Sequence, residues 1–174
     1  MSKKWRNLRI YRDYGKANPK DIVEFEKKYN ICLPKSYKEL MLEHNGVRFE
    51  EDFFDFINSK GQEDGRDVNF YPIGQNSNWE KKNMDYANKN IQNPDYYGVP
   101  GLIGFGSTAE GDTVCFDYRD DPKTCEPKVI LLVHDEYDDL PDGTSHMHIE
   151  PIANSFDEFL DMLYEFKDED IEWE

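Results

Sequence analysis

The run Val129-Ile130-Leu131-Leu132-Val133 is the longest uninterrupted apolar stretch in the chain, and it constrains everything around it. Five residues cannot cross a bilayer, for which a helix needs about 20. In a water-exposed fold, a strand that is apolar at both alternating sets of positions must be covered on both faces. It is therefore expected as a central strand. The segments around it alternate instead. Residues 113–118 put Val114, Phe116 and Tyr118 on one face. Residues 147–152 put Met147 and Ile149 on a buried side, with His148 and Glu150 on an exposed one. Pro151 has no amide to donate, which moves that segment toward a sheet edge. Residues 53–57, 68–73 and the Gly-rich 102–105 complete the strand candidates.

Four helices are expected. Asn18 is a good N-cap, Pro19 fits the first helical position, and Ile22, Phe25 and Tyr29 form one stripe. A second helix begins near Pro34, with Tyr37, Leu40, Met41 and His44 on one face and Asn45-Gly46 as a left-handed stop. A third follows Ser77, where Glu80 completes a capping box and Met84, Ala87 and Ile91 form the buried face. In the last, Ser155 and Glu158 form a capping box ahead of Phe156, Phe159, Leu160, Leu163 and Phe166. The polar stretch 58–69 reads as a loop inside the domain. Helices first, strands in the middle and a helix last predict a single α+β domain, with a mainly antiparallel central sheet flanked by helices. The organisation expected is a basic segment at 1–17, the α+β domain at 18–166 and an acidic tail at 167–174.

Charge narrows the partners. Lys plus Arg number 21 against 37 Asp plus Glu, a net charge of −16. Neutralising phosphates takes clustered Lys and Arg, so direct nucleic-acid binding is excluded, and an anionic membrane surface with it. The same acidity would suit a disordered chain, but 11 Phe, 11 Tyr and 3 Trp supply a core. Seven basic side chains and one acidic one fall within residues 1–20. No apolar segment follows the basic start Met1-Ser2-Lys3-Lys4-Trp5-Arg6, so no secretory signal is read. Cys32, Cys115 and Cys125 are odd in number and widely spaced, with no obvious disulfide framework. The expected location is a reducing cytoplasm.

Few motifs point to chemistry. Gly104-Phe105-Gly106-Ser107-Thr108-Ala109 matches a dinucleotide pattern, but Glu110-Gly111-Asp112 and a strand follow it where a helix N-terminus is required. It is expected to be a turn between two strands. His146, His148 and Glu150 share one strand face at i, i+2, i+4, a set that could ligate zinc and support a metal-dependent enzyme. The competing reading is an ordinary polar edge. Asp135, Glu136, Asp138, Asp139 and Asp142 crowd a segment ending in Gly143 and read as an acidic loop. Leu140 breaks the calcium-loop pattern there. Gly-x-Ser-x-Gly, His-Glu-x-x-His and the phosphate-binding loop are absent, and Cys115 reads as a packed core residue. On the last helix, Asp157, Asp161 and Glu165 recur at i, i+4, i+8. Like charges at this spacing and acids at a helix C-terminus both oppose folding, which suits a surface that steers a basic partner.

Four stretches in order resemble one family. Leu33-Pro34-Lys35-Ser36-Tyr37-Lys38-Glu39-Leu40 with Asn45-Gly46, Phe105-Gly106 through Gly111-Asp112 to Cys115-Phe116-Asp117-Tyr118, Pro127-Lys128-Val129, and residues 152–160 are similar to the SUKH superfamily, Smi/Knr type. The likeness covers residues 18–46 and 101–166, and Val47 stands where a second Gly is often found. The resemblance implies an α+β domain that acts without cofactor, metal or catalytic residues. In bacteria such a domain is an immunity protein that binds and neutralises a cognate protein toxin stoichiometrically, often a nuclease. Eukaryotic relatives are regulatory scaffolds, which is the alternative. A nuclease has a basic cleft, so the expected contacts are the acids Asp135, Glu136, Asp138, Asp139, Asp142, Asp157, Asp161 and Glu165.

Overall fold

The computed structural model describes residues 4–74 and 82–167. Its main sheet is a five-stranded antiparallel meander of β5 (Asn69–Phe70), β6 (Leu102–Ser107), β7 (Thr113–Asp117), β8 (Lys128–Asp139) and β9 (Ser145–Ala153), ordered as in sequence. Two small antiparallel pairs accompany it: β1 (Ile10–Arg12) with β2 (Arg48–Phe49), and β3 (Phe53–Ile57) with β4 (Glu63–Asp67). The helices are α1 (Pro19–Tyr29), α2 (Lys35–Glu43), α3 (Met84–Ala87) and α4 (Phe156–Met162). The architecture is the α+β one expected, and β9 is an edge strand as Pro151 requires.

The apolar run of β8 is covered on both faces. Val129, Leu131 and Val133 join the main core with Phe105, Phe116, Tyr37 of α2 and Phe156 and Phe159 of α4. Ile130 and Leu132 join a smaller cluster with Leu102, Cys115, Ile91 and Val99. The period of two thus sorts one strand between two cores. Phe105 stacks on Phe116 at 4.2 Å between ring centroids, and Phe156 meets both edge-on at 5.8 Å. Trp5 and Ala17 are buried in the same core.

Local chemistry sets the helix ends. Asn18 caps α1 by accepting from the Lys20 amide at 3.0 Å, and Asn30 ends it in the left-handed region. Ser155 caps α4 through the Glu158 amide at 3.1 Å. α2 is followed by Gly46 at φ +61°, where a β-carbon would stand 2.6 Å from the Tyr14 ring and 2.9 Å from Pro72. Beside it the buried Asn45 side chain donates to the Ile73 carbonyl and accepts from the Ile73 amide.

Four expectations are corrected. Residues 58–69 are not one loop: Asn58 and Gln62 close a short turn, and β4 pairs residue by residue with β3. Residues 135–139 are the outer part of β8 rather than a loop. Phe166 lies beyond α4, which ends at Met162. Cys32 and Cys125 form a disulfide with a Cα–Cα distance of 4.8 Å, between the α1–α2 turn and the β7–β8 connection. The capping box expected at Ser77 and Glu80 lies outside the described residues. The helix seen nearby is one turn, capped by Asn83, and Met84 and Ile91 are buried as expected.

Candidate functional site

β8 is longer than the core it crosses. Its first half is buried and its second half is exposed, so the β8–β9 hairpin continues as an arm. The pairing jumps from Val133↔His148 to Tyr137↔Met147, so residues 134–136 bulge out of the ladder. The arm carries Asp135, Glu136, Asp138, Asp139 and, in its turn, Asp142. Asp135 is 81% exposed. Asp139 accepts from Ser145 and Asp142 from Thr144, which shapes the tip. Between the acids Tyr137 stands 53% exposed, its ring 4.9 Å from that of the half-exposed Tyr97.

The acids at the other end do not join this group. Asp157 and Asp161 lie on α4, whereas Glu165 is past its end and bound to Arg9. Arg9 also holds Glu50 and Glu51, so the basic start of the chain is partly neutralised on the surface.

At the base of the arm the β3–β4 turn meets β9. Glu150 is buried, and its Oε1 accepts from the Ser59 amide at 3.1 Å, the Ser59 hydroxyl at 2.8 Å and His148 Nε2 at 2.6 Å. His148 Nδ1 lies 2.9 Å from Asp138. Burial alone would raise Glu150, but the bonds from His148 and Ser59 outweigh it and hold the carboxyl below its ordinary range. Burial would lower His148, but Glu150 and Asp138 outweigh it and raise the imidazole. The Ser59–His148–Asp138 order resembles a nucleophile, base and orienting acid, with 3.2 Å from Ser59 Oγ to Nε2. Glu150 defeats that use. It takes the hydroxyl proton's bond, and it sits on the same ring nitrogen that a base would need free. The group is a clasp between two hairpins.

The expected face of His146, His148 and Glu150 is split. His146 Nδ1 lies 2.7 Å from the Met147 carbonyl, while His148 and Glu150 bind one another. No group of three or more His, Cys, Asp or Glu among the described residues is arranged to hold a metal ion. Glu150 is also buried rather than on an exposed polar edge. Nearby, Arg66 binds Asp64, Asp112 and Glu110, and Asp112 in turn lies 2.8 Å from His134 Nδ1. Neither Ser59 nor this arginine cluster is visible in the sequence, since the partners are up to 91 residues apart. The Gly104–Ala109 motif is not a turn as expected: its first four residues end strand β6, only Thr108 and Ala109 enter the β6–β7 turn, and no helix follows.

A cavity of about 190 Å³ opens over the clasp, walled by Phe56, Tyr137, Asp138, His148 and Glu150. A larger groove of about 580 Å³ flanks the same β3–β4 hairpin, lined by Phe53, Ile57, Tyr164 and Phe166. It includes none of the buried polar atoms that lack a partner, among the described residues.

The model of the SMI1 / KNR4 family (SUKH-1) matches residues 16–162. The chain belongs to the SMI1 / KNR4 family. The match covers the arm, the clasp and the stretch 47–100 that the sequence resemblance left out. This SUKH family is commonly one of toxin immunity, and its members are generally non-catalytic immunity or regulatory proteins. No curated protein matches the chain. No helix among the described residues is long and apolar enough to cross a membrane.

Proposed function

We propose that this SUKH chain is an immunity protein that binds a cognate, basic protein toxin and blocks it stoichiometrically, without catalysis. The observation that carries the reading is the β8–β9 arm. It presents five carboxylates around the exposed Tyr137–Tyr97 pair. Exposed tyrosines are the residue type that anchors protein interfaces, and a surrounding field of one sign speeds encounter with an oppositely charged surface. A nuclease is the toxin class this field suits best, because its phosphate cleft is cationic. The contacts proposed are Asp135, Glu136, Asp138, Asp139 and Asp142, with Asp157, Asp161 and Glu165 as a second, separate set. The reading places neutralisation in the cytoplasm, where the toxin would meet its target.

Co-expression with a candidate toxin domain, such as any encoded beside this chain, tests the reading by cell survival, with a pull-down in parallel. Rescue and a stable complex are expected. Changing Asp135, Glu136 and Asp139 to Lys should slow association and weaken the complex, with the wild-type complex weakening as salt rises. Unchanged affinity in that variant would remove the arm from the interface. Neither rescue nor binding would leave a regulatory scaffold as the better reading.

A further inference from the structure

The arm leaves the main sheet between two histidines. Val133↔His148 is the last rung before the bulge, and His134 is the first residue beyond it. Each imidazole stands between a buried carboxylate of the body and a carboxylate of the arm. His134 Nδ1 lies 2.8 Å from the buried Asp112, and its Nε2 lies 3.0 Å from the exposed Asp135. His148 Nε2 lies 2.6 Å from the buried Glu150, and its Nδ1 lies 2.9 Å from the half-exposed Asp138. A neutral imidazole carries one N–H, so in each bridge its other nitrogen would turn a lone pair toward a carboxylate. Imidazolium donates at both nitrogens. Glu110 also faces His134, and Arg66 of β4 bears on it through Asp112. Beside His148 stand the Ser59 hydroxyl at 3.2 Å and, lining the adjoining cavity, Glu136, Asp64, Lys60 and Arg66. In both places the acids outnumber the cations. The bond to Asp112 raises the His134 imidazole against a smaller lowering by burial, and His148 is raised as well. The arm is also tied to the body at Tyr97, whose carbonyl accepts from the Met147 amide at 2.9 Å and whose ring meets Tyr137.

We propose that the bulge at residues 134–136 is a pH-sensitive hinge: with His134 and His148 protonated the arm is fastened to the body, and with both neutral it is released about its Tyr97 contact. The hinge belongs to the isolated chain, so it does not depend on what the arm binds. A bulge already interrupts the ladder at this point, which leaves side-chain bridges to fix the arm's direction. Discharge removes two positive charges from the base of the arm and leaves Asp135 and Asp138 without their donors. The step that loosens the arm therefore also makes it more negative, and protonation of paired histidines does the reverse.

The test is an NMR titration of the full chain, upward from about pH 6 until both rings have discharged, a range that starts below the ordinary histidine value of about 6.5. Ring signals report the protonation of His134 and His148. Residual dipolar couplings, which average over motion up to milliseconds, report the order of residues 137–144. The expected order parameter of the arm is about 0.85 at the acid end, as for rigid backbone, and falls below about 0.6 with the same midpoint as the rings. Residues 129–133, inside the sheet, should stay unchanged throughout. The double variant His134→Gln, His148→Gln puts a neutral amide in each bridge, and its arm should be loose at every pH. His146→Gln should keep the wild-type profile, because that ring faces the Met147 carbonyl rather than a carboxylate. The wild-type titration needs no variant, so it decides the matter even where the double variant fails to fold. An arm that stays ordered as both rings discharge, a loosening whose midpoint departs from theirs, or a double variant that keeps the wild-type profile would each overturn the proposal. Loss of the profile in His146→Gln would do so too, by moving the switch to a different histidine.

Discussion

The Cys32–Cys125 bond should contribute about 2–4 kcal/mol of stability, and its removal is the sharpest test of the fold. The two cysteines are 93 residues apart in sequence. Closing a loop of that length in the unfolded chain corresponds to about 4.6 kcal/mol of lost entropy at 25 °C, an upper bound because real denatured chains are already compact. The native ends are held unequally. Cys32 is part-buried beside the fully buried Leu33, and its carbonyl accepts the Tyr118 hydroxyl at 2.7 Å. Cys125 is exposed in the β7–β8 connection, within reach of a reductant. Cutting the bond therefore frees mainly the 118–128 connection and leaves the α1–α2 turn in place. For a chain of this size, 3 kcal/mol lowers the melting temperature by about 6–12 °C. Thermal unfolding followed by circular dichroism, with and without a phosphine reductant, measures this directly. Cys125→Ser should match the reduced wild type and be indifferent to reductant, and Cys115, buried and unpaired, should play no part. A wild-type shift below about 1 kcal/mol, or a reductant effect that persists in Cys125→Ser, would refute the reasoning. The outcome also bears on location, because a chain acting in a reducing cytoplasm must fold without this contribution.

Three further outcomes are expected. Tyr37 is fully buried and its hydroxyl has no partner, so Tyr37→Phe should leave the fold intact and raise stability by about 1 kcal/mol in denaturant titration. Gly46→Ala should destabilise by more than about 1 kcal/mol in the same assay, because a left-handed residue gains a β-carbon 2.6 Å from the Tyr14 ring. The clasp should give a stability maximum on the acid side of neutrality. His148 is raised above its ordinary 6.5, so its contribution is complete below that value and lost as pH climbs through the raised one. Glu150 is held below its ordinary 4.5, so its contribution is present above that value and lost as pH falls through the lowered one. Unfolding curves across pH 4–8 should lose this curvature in His148→Gln.

How much was legible in advance depended on the kind of force involved. Hydrophobic period was legible. It located an interior strand covered on both faces at Val129–Val133, the opposite facing of Cys115 and Val114, and the stripes of α1, α2 and α4. Capping was legible where a single polar side chain does the work, at Asn18 and Ser155. Pairing that overrides propensity was not. Residues 137–139 and Glu63–Asp67 contain several Asp and Glu, which strands disfavour, yet each stretch is carried by an antiparallel neighbour. Contacts across long separations were equally hidden: nothing local brings Cys32 to Cys125, or Ser59 to Glu150. For the same reason Glu150 reads as exposed by alternation, and only the arriving β3–β4 turn buries it.

The acids of this chain divide by what they are bound to. Asp64 and Asp112 are held by Arg66, Glu51 and Glu165 by Arg9, Asp52 by Arg48 and Asp117 by Arg119. These pairs join separate segments or close turns, and they account for a carboxylate in a folded chain. The arm is built differently. Asp135 and Asp138 face histidines, and Asp139 and Asp142 face hydroxyls. Among the described residues, none of the five arm acids is paired with Lys or Arg in this way. Crowding like charges on one hairpin raises the energy of the compact state, and among the described residues histidines and hydroxyls, not Lys or Arg, offset it there. A cationic surface arriving from outside would offset it further. The arm is thus the part of the molecule whose charge the cations of the fold balance least, and it is there that the proposed association with a cationic partner would act.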